Sequence, residues 1–272
     1  MEHMKKIVII PALILIVGIS VYAYMSPLIA FHKIESMIKE NDIDTFSTEI
    51  AANEILDHLR NRMSLHMQDA LRSYPTTPDP AKVELRLAPY FEARGTALAV
   101  PASIFRELGN QLKDQSGHLK VEFETPSEAR VNWTSAGKPH AALLSRYGLS
   151  WKLSALDFPD AMPLFWDQPT VLQGTYHQSN FTNCCFEGKE QETPYAQLQL
   201  KRAVDILDVF GDFGEDVTAN VTQVQIGANT SLLAGIKDGD LIDVHCKSLW
   251  QGDTGHYALP AYCEAGQISR AQ

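Results

Sequence analysis

Four cysteines, Cys184, Cys185, Cys246 and Cys263, are the residues of this 272-residue chain whose chemistry depends most on their surroundings. Zinc sites and thioredoxin-like redox pairs typically use Cys-x-x-Cys, or cysteines with a matching histidine spacing. Neither pattern occurs in the sequence. An even number of cysteines in an oxidising compartment indicates disulfides instead. Their interpretation therefore depends on where the chain resides.

The N-terminus carries a long apolar segment. Residues 7–25 contain no charged side chain and, as a helix, would extend about 28 Å, close to the thickness of a bilayer's hydrocarbon core. Lys5 and Lys6 precede them, which predicts a cytoplasmic N-terminus and an exported remainder. We expect a single-pass transmembrane anchor over residues 1–25. A cleaved signal peptide and a buried core helix are the alternatives.

Export makes disulfides the leading interpretation of the cysteines. If Thr254-Gly255 is the tip of the last hairpin, Cys246 and Cys263 lie opposite each other. Pairing them would leave Cys184 and Cys185 to close a strained ring between neighbours, so we expect bonds from this pair to the hairpin. Neighbouring strand residues point to opposite faces, which makes two such bonds demanding. Buried free thiols, a metal or redox site and a nucleophile are the alternatives.

The composition indicates a folded body with an acidic surface. Apolar residues make up 45% of the chain and charged residues 21%, which is ordinary for globular proteins. The formal net charge is −10, and most of it lies in residues 169–272. Such a surface lacks the basic patches of nucleic-acid-binding proteins and should not be drawn to anionic lipid headgroups. We therefore expect no nucleic-acid partner.

Periodicity predicts two domains. Helical spacing covers residues 26–46, 48–73 and 102–113, and alternation then predicts strands at 120–126, 129–135, 140–147 and 149–159. This order predicts an α+β membrane-proximal domain over residues 26–160, followed by a linker at 161–168. Residues 169–272 predict a small all-β barrel of the oligonucleotide/oligosaccharide-binding (OB) type. Its elements are five strands at 170–178, 196–204, 218–226, 240–250 and 256–264, with a brief helix at 231–236.

An acidic run carries Asp205, Asp208, Asp212, Glu215 and Asp216. Carboxylates are calcium ligands, but the run lacks the Asp-x-Asp-x-Asp-Gly spacing of a calcium loop. A solvated loop is therefore the better interpretation. His58 and His66 share a predicted helix, where surface or packed histidines are commoner than a metal site.

Binding chemistry is less strongly indicated. Asp253 and His256, at the last hairpin, could contact a ligand at the mouth of the barrel, although a hairpin-tip histidine without a function is commoner. The four tryptophans, Trp133, Trp151, Trp166 and Trp250, could stack on sugars. Trp133 and Trp151 lie in strand patterns that predict core positions. The chain contains no Gly-x-Ser-x-Gly, phosphate-loop or His-Glu-x-x-His motif, so we predict no catalytic residue, metal or cofactor.

Two parts of the chain resemble uncharacterised bacterial families. The juxtamembrane segment YMSPLIAFHKIESMIKENDIDTF and the strand SRYGLSWKLSALDFP resemble a family with an N-terminal membrane anchor, although STEIAANEI departs from its pattern. LQLKRAV and SLWQGDTGHYALPAYCE resemble a second, OB-like domain. The resemblance implies a bacterial inner-membrane protein whose bulk is periplasmic. It implies no activity and no site residues.

These observations favour a non-enzymatic, membrane-anchored envelope protein with an acidic binding module and a protein partner. A more specific role is that of an immunity or inhibitor protein that neutralises a periplasm-acting toxin or hydrolase, because an acidic face speeds the capture of a basic partner. The same features are also compatible with an envelope hydrolase or an envelope assembly factor.

Overall fold

A computed structural model of the chain describes residues 25–74, 78–158, 162–186, 189–210, 216–251 and 258–271. For residues 182–186, 189–191 and 251 it describes only the main chain. The predicted anchor lies outside these residues, apart from Met25. No helix within the described ranges is long and apolar enough to cross a membrane.

The chain forms two compact units, and each unit combines two stretches of sequence. The first contains the residues up to Asn61 together with Glu92–Pro159. The second contains Arg62–Phe91 together with the residues from Asp160 onward. The fold is α+β, with helices before sheets, as predicted. Compactness does not measure independent folding, so the domain boundary at 161–168 stays a prediction.

Helices occupy the N-terminal part of the described chain. They are α1 (residues 25–40), α2 (Ile43–Thr48), α3 (Ala52–Arg72), α4 (Pro80–Ala99) and α5 (Pro101–Leu112). The single helix predicted over residues 26–46 is interrupted at Asn41, whose φ is 56°. Asp42 then caps α2, since its side chain accepts a hydrogen bond from the Thr45 N–H at 3.0 Å.

Helix α4 was not predicted from the sequence, because prolines such as those near residue 80 commonly terminate helices. Asp79 and Pro80 in fact start one. The Asp79 carboxylate accepts from the Ala81 N–H at 3.1 Å, and proline is favoured in the first turn, where its missing N–H costs nothing. Val83 and Leu87 are buried one helical turn apart.

The first unit contains a four-stranded antiparallel sheet with its strands in chain order. The strands are β1 (Gln115–Thr125), β2 (Glu128–Ser135), β3 (Lys138–Tyr147) and β4 (Ser150–Leu156), which confirms the predicted meander. α1 packs on this sheet, where the rings of Phe31 and Trp133 are 5.4 Å apart. The Trp133 indole donates to the Gln111 carbonyl of α5 at 3.1 Å.

The second unit is built on a closed five-stranded barrel, which confirms the predicted barrel. Its strands are β6 (Thr170–Phe186), β7 (Lys189–Leu207), β8 (Val217–Gly227), β9 (Leu241–Gln251) and β10 (Ala261–Arg270). β7 pairs with both β6 and β8, β8 pairs in parallel with β10, and β9 closes the ring between β10 and β6. Alternate residues of these strands fill the interior, among them Leu198, Val224, Ile242, Val244 and Leu249.

Three details of the barrel differ from the sequence prediction. The segment predicted as a linker contains a short strand, β5 (Leu164–Phe165), paired in parallel with β7, and Trp166 beside it is buried. Residues 231–236 form turns rather than a helix. The last strand begins at Ala261 rather than at position 256. Burial of Phe165 and Trp166 stabilises the first of these, the short strand β5.

Candidate binding face of the barrel

The disulfide links Cys246 of β9 to Cys263 of β10, with Cα atoms 5.4 Å apart. The expected bonds from Cys184 and Cys185 to this hairpin are therefore wrong. The predicted hairpin register is also wrong, because Leu249 lies opposite Cys263 and Ala265 lies opposite Cys246. The ladder is locally irregular at Glu264–Gln267 and has the same register on both sides, and the bond crosses it diagonally. Both sulfurs belong to buried residues of the barrel core.

Cys184 and Cys185 lie near the end of β6, where only the main chain is described. The ladder with β7 is regular up to Asn183, which lies opposite Gln191, and resumes with Phe186 opposite Lys189. The two cysteines thus occupy an irregular point of the long β6–β7 hairpin. Their side chains lie outside the described atoms, and so do all atoms of the predicted binding residues Asp253 and His256.

The acidic run is partly a structural feature of the second unit, so the prediction of a solvated loop is wrong for Asp205 and Asp208, both of which are buried. The Asp205 carboxylate accepts from the Tyr90 hydroxyl of α4 at 2.8 Å and from the Asn220 N–H at 2.9 Å. The Asp208 carboxylate accepts from the Phe210 N–H at 2.7 Å. These bonds satisfy carboxylates that would otherwise be costly to bury.

Arg86 of α4 strengthens the same region. Its guanidinium donates to the Asp208 carbonyl at 2.8 Å, and its Nε lies 2.9 Å from a carboxylate oxygen of Asp216.

His66 is also structural, because its Nε2 is 3.1 Å from the Pro163 carbonyl oxygen. Within the described part of the chain, no group of three or more His, Cys, Asp or Glu residues could hold a metal ion.

The feature of the barrel best suited to binding is a row of amides and aromatic rings on its outer surface. We call it the glutamine–aromatic face. It consists of Tyr195, Gln197 and Gln199 of β7, Gln223 and Gln225 of β8, Trp250 of β9 and Tyr262 of β10.

Strand register places these side chains together. Gln197 lies opposite Gln225 and Gln199 opposite Gln223, while Tyr262 pairs with Gln225 on one side and with Trp250 on the other. Paired residues point to the same face of a sheet. Their neighbours along each strand, such as Leu198, Val224 and Cys263, are buried inside the barrel. The glutamine–aromatic face is therefore directed outward.

Hydrogen bonds hold the amides in place. Gln223 donates to the Gln199 side-chain oxygen at 2.9 Å, and Gln199 donates to the Thr222 carbonyl at 3.1 Å. Gln225 accepts from the Ala258 N–H at 2.8 Å. A carboxamide has two donor hydrogens and an acceptor oxygen with two lone pairs, so each of these groups keeps capacity for a ligand.

The aromatic rings are held as well. The Tyr262 phenol lies against the main chain of Gly227, where an added Cβ atom would clash with the ring and its hydroxyl oxygen. The Trp250 indole donates to the Ser248 hydroxyl at 2.6 Å, yet the residue remains 38% exposed. Trp133, Trp151 and Trp166 are all buried. Trp250 is thus the one tryptophan of the four with a surface for stacking.

A concavity lies elsewhere on the barrel, beside the disulfide. It is an open groove of about 560 Å³ lined by Pro169, Thr170, Val171, His245, Cys246, Lys247, Gly266 and Gln267. This lining includes a single carboxamide and a single aromatic ring, those of Gln267 and His245. The glutamine–aromatic face is the richer of the two surfaces in groups that combine hydrogen bonding with stacking.

The glutamine–aromatic face was not predicted from the sequence, although a signal was present. Gln alternates with apolar residues in AQLQL on β7 and again in TQVQI on β8. The pairing of these two runs depends on barrel register, which the sequence does not reveal. Comparison of the chain with family models, with curated proteins and with solved structures finds no match.

Proposed function

We propose that this chain is a non-enzymatic, membrane-anchored envelope protein whose barrel binds an uncharged, hydroxyl-rich glycan through the glutamine–aromatic face. The observation that carries the proposal is the row formed by Gln197, Gln225, Tyr262 and Trp250 across four strands. Amides can donate to and accept from sugar hydroxyls, and aromatic rings offer apolar area to the sugar ring.

The topology supports this choice of surface. With β6 to β10 taken as the first to fifth barrel strands, the third and fifth pair in parallel, and we assign the barrel to the OB type. OB-type barrels bind oligonucleotides and oligosaccharides on the face of their second and third strands. Those strands are β7 and β8, which supply five of the seven residues of the glutamine–aromatic face.

Charge favours the saccharide over the nucleic acid. The chain carries a net charge of −10, and the seven residues of the glutamine–aromatic face include no lysine or arginine. Binding to a phosphate backbone typically requires several cations. The face also contains no carboxylate, thiol or histidine that could act as a general acid, a base or a nucleophile, and this supports a binding rather than a catalytic role.

The test is calorimetric titration of the full-length protein in detergent with soluble, uncharged oligosaccharides of several sugar types. We expect at least one to bind, and Trp250→Ala to weaken it about tenfold, equivalent to about 1.4 kcal/mol. Gln225→Ala should weaken it as well. Gln267→Ala is the matched control, because Gln267 is an exposed glutamine on the groove side of the barrel.

Two results would contradict the proposal. One is the absence of binding by any oligosaccharide tested, and the other is an equal loss of affinity in Gln225→Ala and Gln267→Ala. Chromatography of the sugars after incubation tests the non-enzymatic part, since cleaved products would show catalysis.

A further inference from the structure

One end of the first unit brings the start of α1 next to the β3–β4 turn. The Trp151 indole donates to the Ser26 hydroxyl at 2.8 Å. Ser26 follows directly after Met25, the last residue of the predicted anchor. The helix that contains Met25 and Ser26 continues to residue 40 and buries Phe31 and Ile34 in the unit's core. A rigid element therefore connects this end of the unit to the residues that precede it.

The turn at this end exposes apolar side chains. Leu149, in the two-residue turn after Tyr147, is 86% exposed, which makes it the most exposed large apolar side chain of the described residues. Tyr147 is 42% exposed and Phe123 is 39% exposed. Phe123 packs edge-on against Trp151, with ring centroids 6.0 Å apart. Exposed apolar side chains clustered in this way mark an interaction surface rather than a solvated turn.

Hydrogen bonds and the backbone conformation fix the shape of this turn, and they fix the position of Leu149 with it. Gly148 adopts a φ of 62°, and the Arg146 guanidinium donates to the Gly148 carbonyl at 3.0 Å. The Tyr147 hydroxyl donates to Glu54. Lys152 lies over the Tyr147 ring, 5.7 Å from its centroid. The neighbouring β1–β2 turn lies alongside, because the Arg146 N–H donates to the Ser127 carbonyl at 2.8 Å.

We propose that the turn carrying Tyr147 and Leu149 lies in the interfacial layer of the bilayer, next to the point where the anchor emerges. The inference rests on the proposed membrane anchor. Met25 and Ile29 on α1 are 39% and 54% exposed, so the start of the helix, which Ser26 joins to Trp151, also exposes apolar side chains. Leu149 lies two residues from Trp151, a reach of about 7 Å along a strand. The interfacial layer extends about 5–7 Å beyond the hydrocarbon core on each side.

The side chains of this end suit that layer. Tyrosine is enriched at membrane–water interfaces, where leucine also inserts from amphipathic surfaces. Arg146 and Lys152 flank the turn, and Glu54 is the carboxylate that faces Tyr147. The acidic protein as a whole is not attracted by anionic lipids. Insertion of apolar side chains, rather than charge, therefore holds the turn in the interfacial layer. The contact should therefore persist in zwitterionic lipid.

The experiment places a polarity-sensitive fluorophore at the turn of the full-length protein. Leu149→Cys is made together with Cys184→Ser and Cys185→Ser, which leaves one reactive thiol because Cys246 and Cys263 are bonded. The labelled protein is reconstituted in phosphatidylcholine vesicles with and without lipid that carries a quencher near its headgroup. Lys138→Cys in the same background is the matched control. Lys138 is exposed and starts β3, whereas position 149 follows the end of β3.

We expect a blue-shifted emission and a loss of fluorescence with the quencher lipid at position 149, and neither change at position 138. Equal quenching at both positions would overturn the proposal. An unquenched label at position 149, in protein that withstands an alkaline wash of the vesicles, would overturn it while leaving the anchor intact. Release of the protein by the wash would overturn both this inference and the anchor.

Discussion

The open sheet of the first unit and the closed barrel of the second differ in how far apart in sequence their paired strands lie. Among themselves, β1 to β4 pair only with their neighbours in the chain, through turns of two residues, and one bridge joins Leu153 of β4 to Ile50. The barrel closes only when β6 pairs with β9 and β8 pairs with β10. Local turns can specify the sheet, whereas the barrel depends on contacts that bring distant segments together. The barrel should therefore be more sensitive to the loss of a cross-link or a buried polar contact.

The largest effect should follow from removal of the disulfide. The bond joins residues separated by 17 positions, so Cys246→Ala with Cys263→Ala should lower the free energy of unfolding of the barrel by about 3 kcal/mol. Hydrogen exchange should then show faster exchange in β6 to β10 and unchanged protection in β1 to β4. An equal loss of protection in the sheet would show that the two regions unfold together, and the contrast between them would be lost.

Asp205→Ala should lower the free energy of unfolding by a smaller amount, because it leaves the Asn220 N–H and the Tyr90 hydroxyl without this acceptor. A buried polar group left unsatisfied costs about 1–3 kcal/mol. Urea denaturation should therefore show a lower midpoint with an unchanged slope. Asp238→Ala, at an exposed position of the same unit, is the control. Equal effects of the two substitutions would argue against a structural role for the buried carboxylate.

The stability of the sheet should depend on the backbone conformation of its turns. Gly148 has a φ of 62°, where a Cβ atom is disfavoured by about 1–2 kcal/mol, so Gly148→Ala should destabilise the first unit by about that amount. No atom lies within 4 Å of the added methyl group, so backbone conformation alone would account for the loss. Thermal unfolding measures it. An unchanged transition would mean that the turn does not control the stability of the sheet.

The smallest effect should be a pH dependence of the sheet. The hydrogen bond to Glu54 raises the pKa of Tyr147 to about 12, from an ordinary value of about 10. A raised pKa in the folded state adds stability below the unfolded value, and that stability is lost as the pH rises through the folded one. The loss should fall between about pH 10 and 12. Absorbance of tyrosinate should show late-titrating groups, because burial also raises the pKa of Tyr74 and of Tyr176. Glu54→Gln should return only one of them, Tyr147, toward its ordinary pKa.

The contrast between sheet and barrel also explains which parts of the fold the sequence could predict. The four strands of the sheet were predicted because each alternates cleanly and is followed by a short turn. The register of β9 and β10 was missed because the sequence was taken to turn at Thr254-Gly255, whereas pairs such as Ala261 with Gln251 and Arg270 with Ile242 are centred on position 256. The burial of Asp205 was missed for a similar reason, since its partner Tyr90 is distant in sequence.

Prediction of the candidate site was limited in the same way, by contacts between segments that are distant in sequence. The alternation of Gln197 and Gln199 predicts a strand with an amide-rich face, and Trp250 was one of the four tryptophans considered able to stack on sugars. That these groups share one surface follows only from barrel closure, which joins β7 to β9 through β8 and β10.

The hairpin disulfide also bears on how the chain would be oxidised during synthesis. Cys246 and Cys263 follow one another in the order of cysteines along the chain, and no other cysteine separates them. If the chain is exported, as we propose, an oxidant that joins thiols in the order in which they leave a translocation channel would form this bond directly only when Cys246 is not first joined to the preceding Cys185. Maturation of the barrel would then need only a thiol oxidase, whereas an earlier Cys185–Cys246 bond would also require an isomerase.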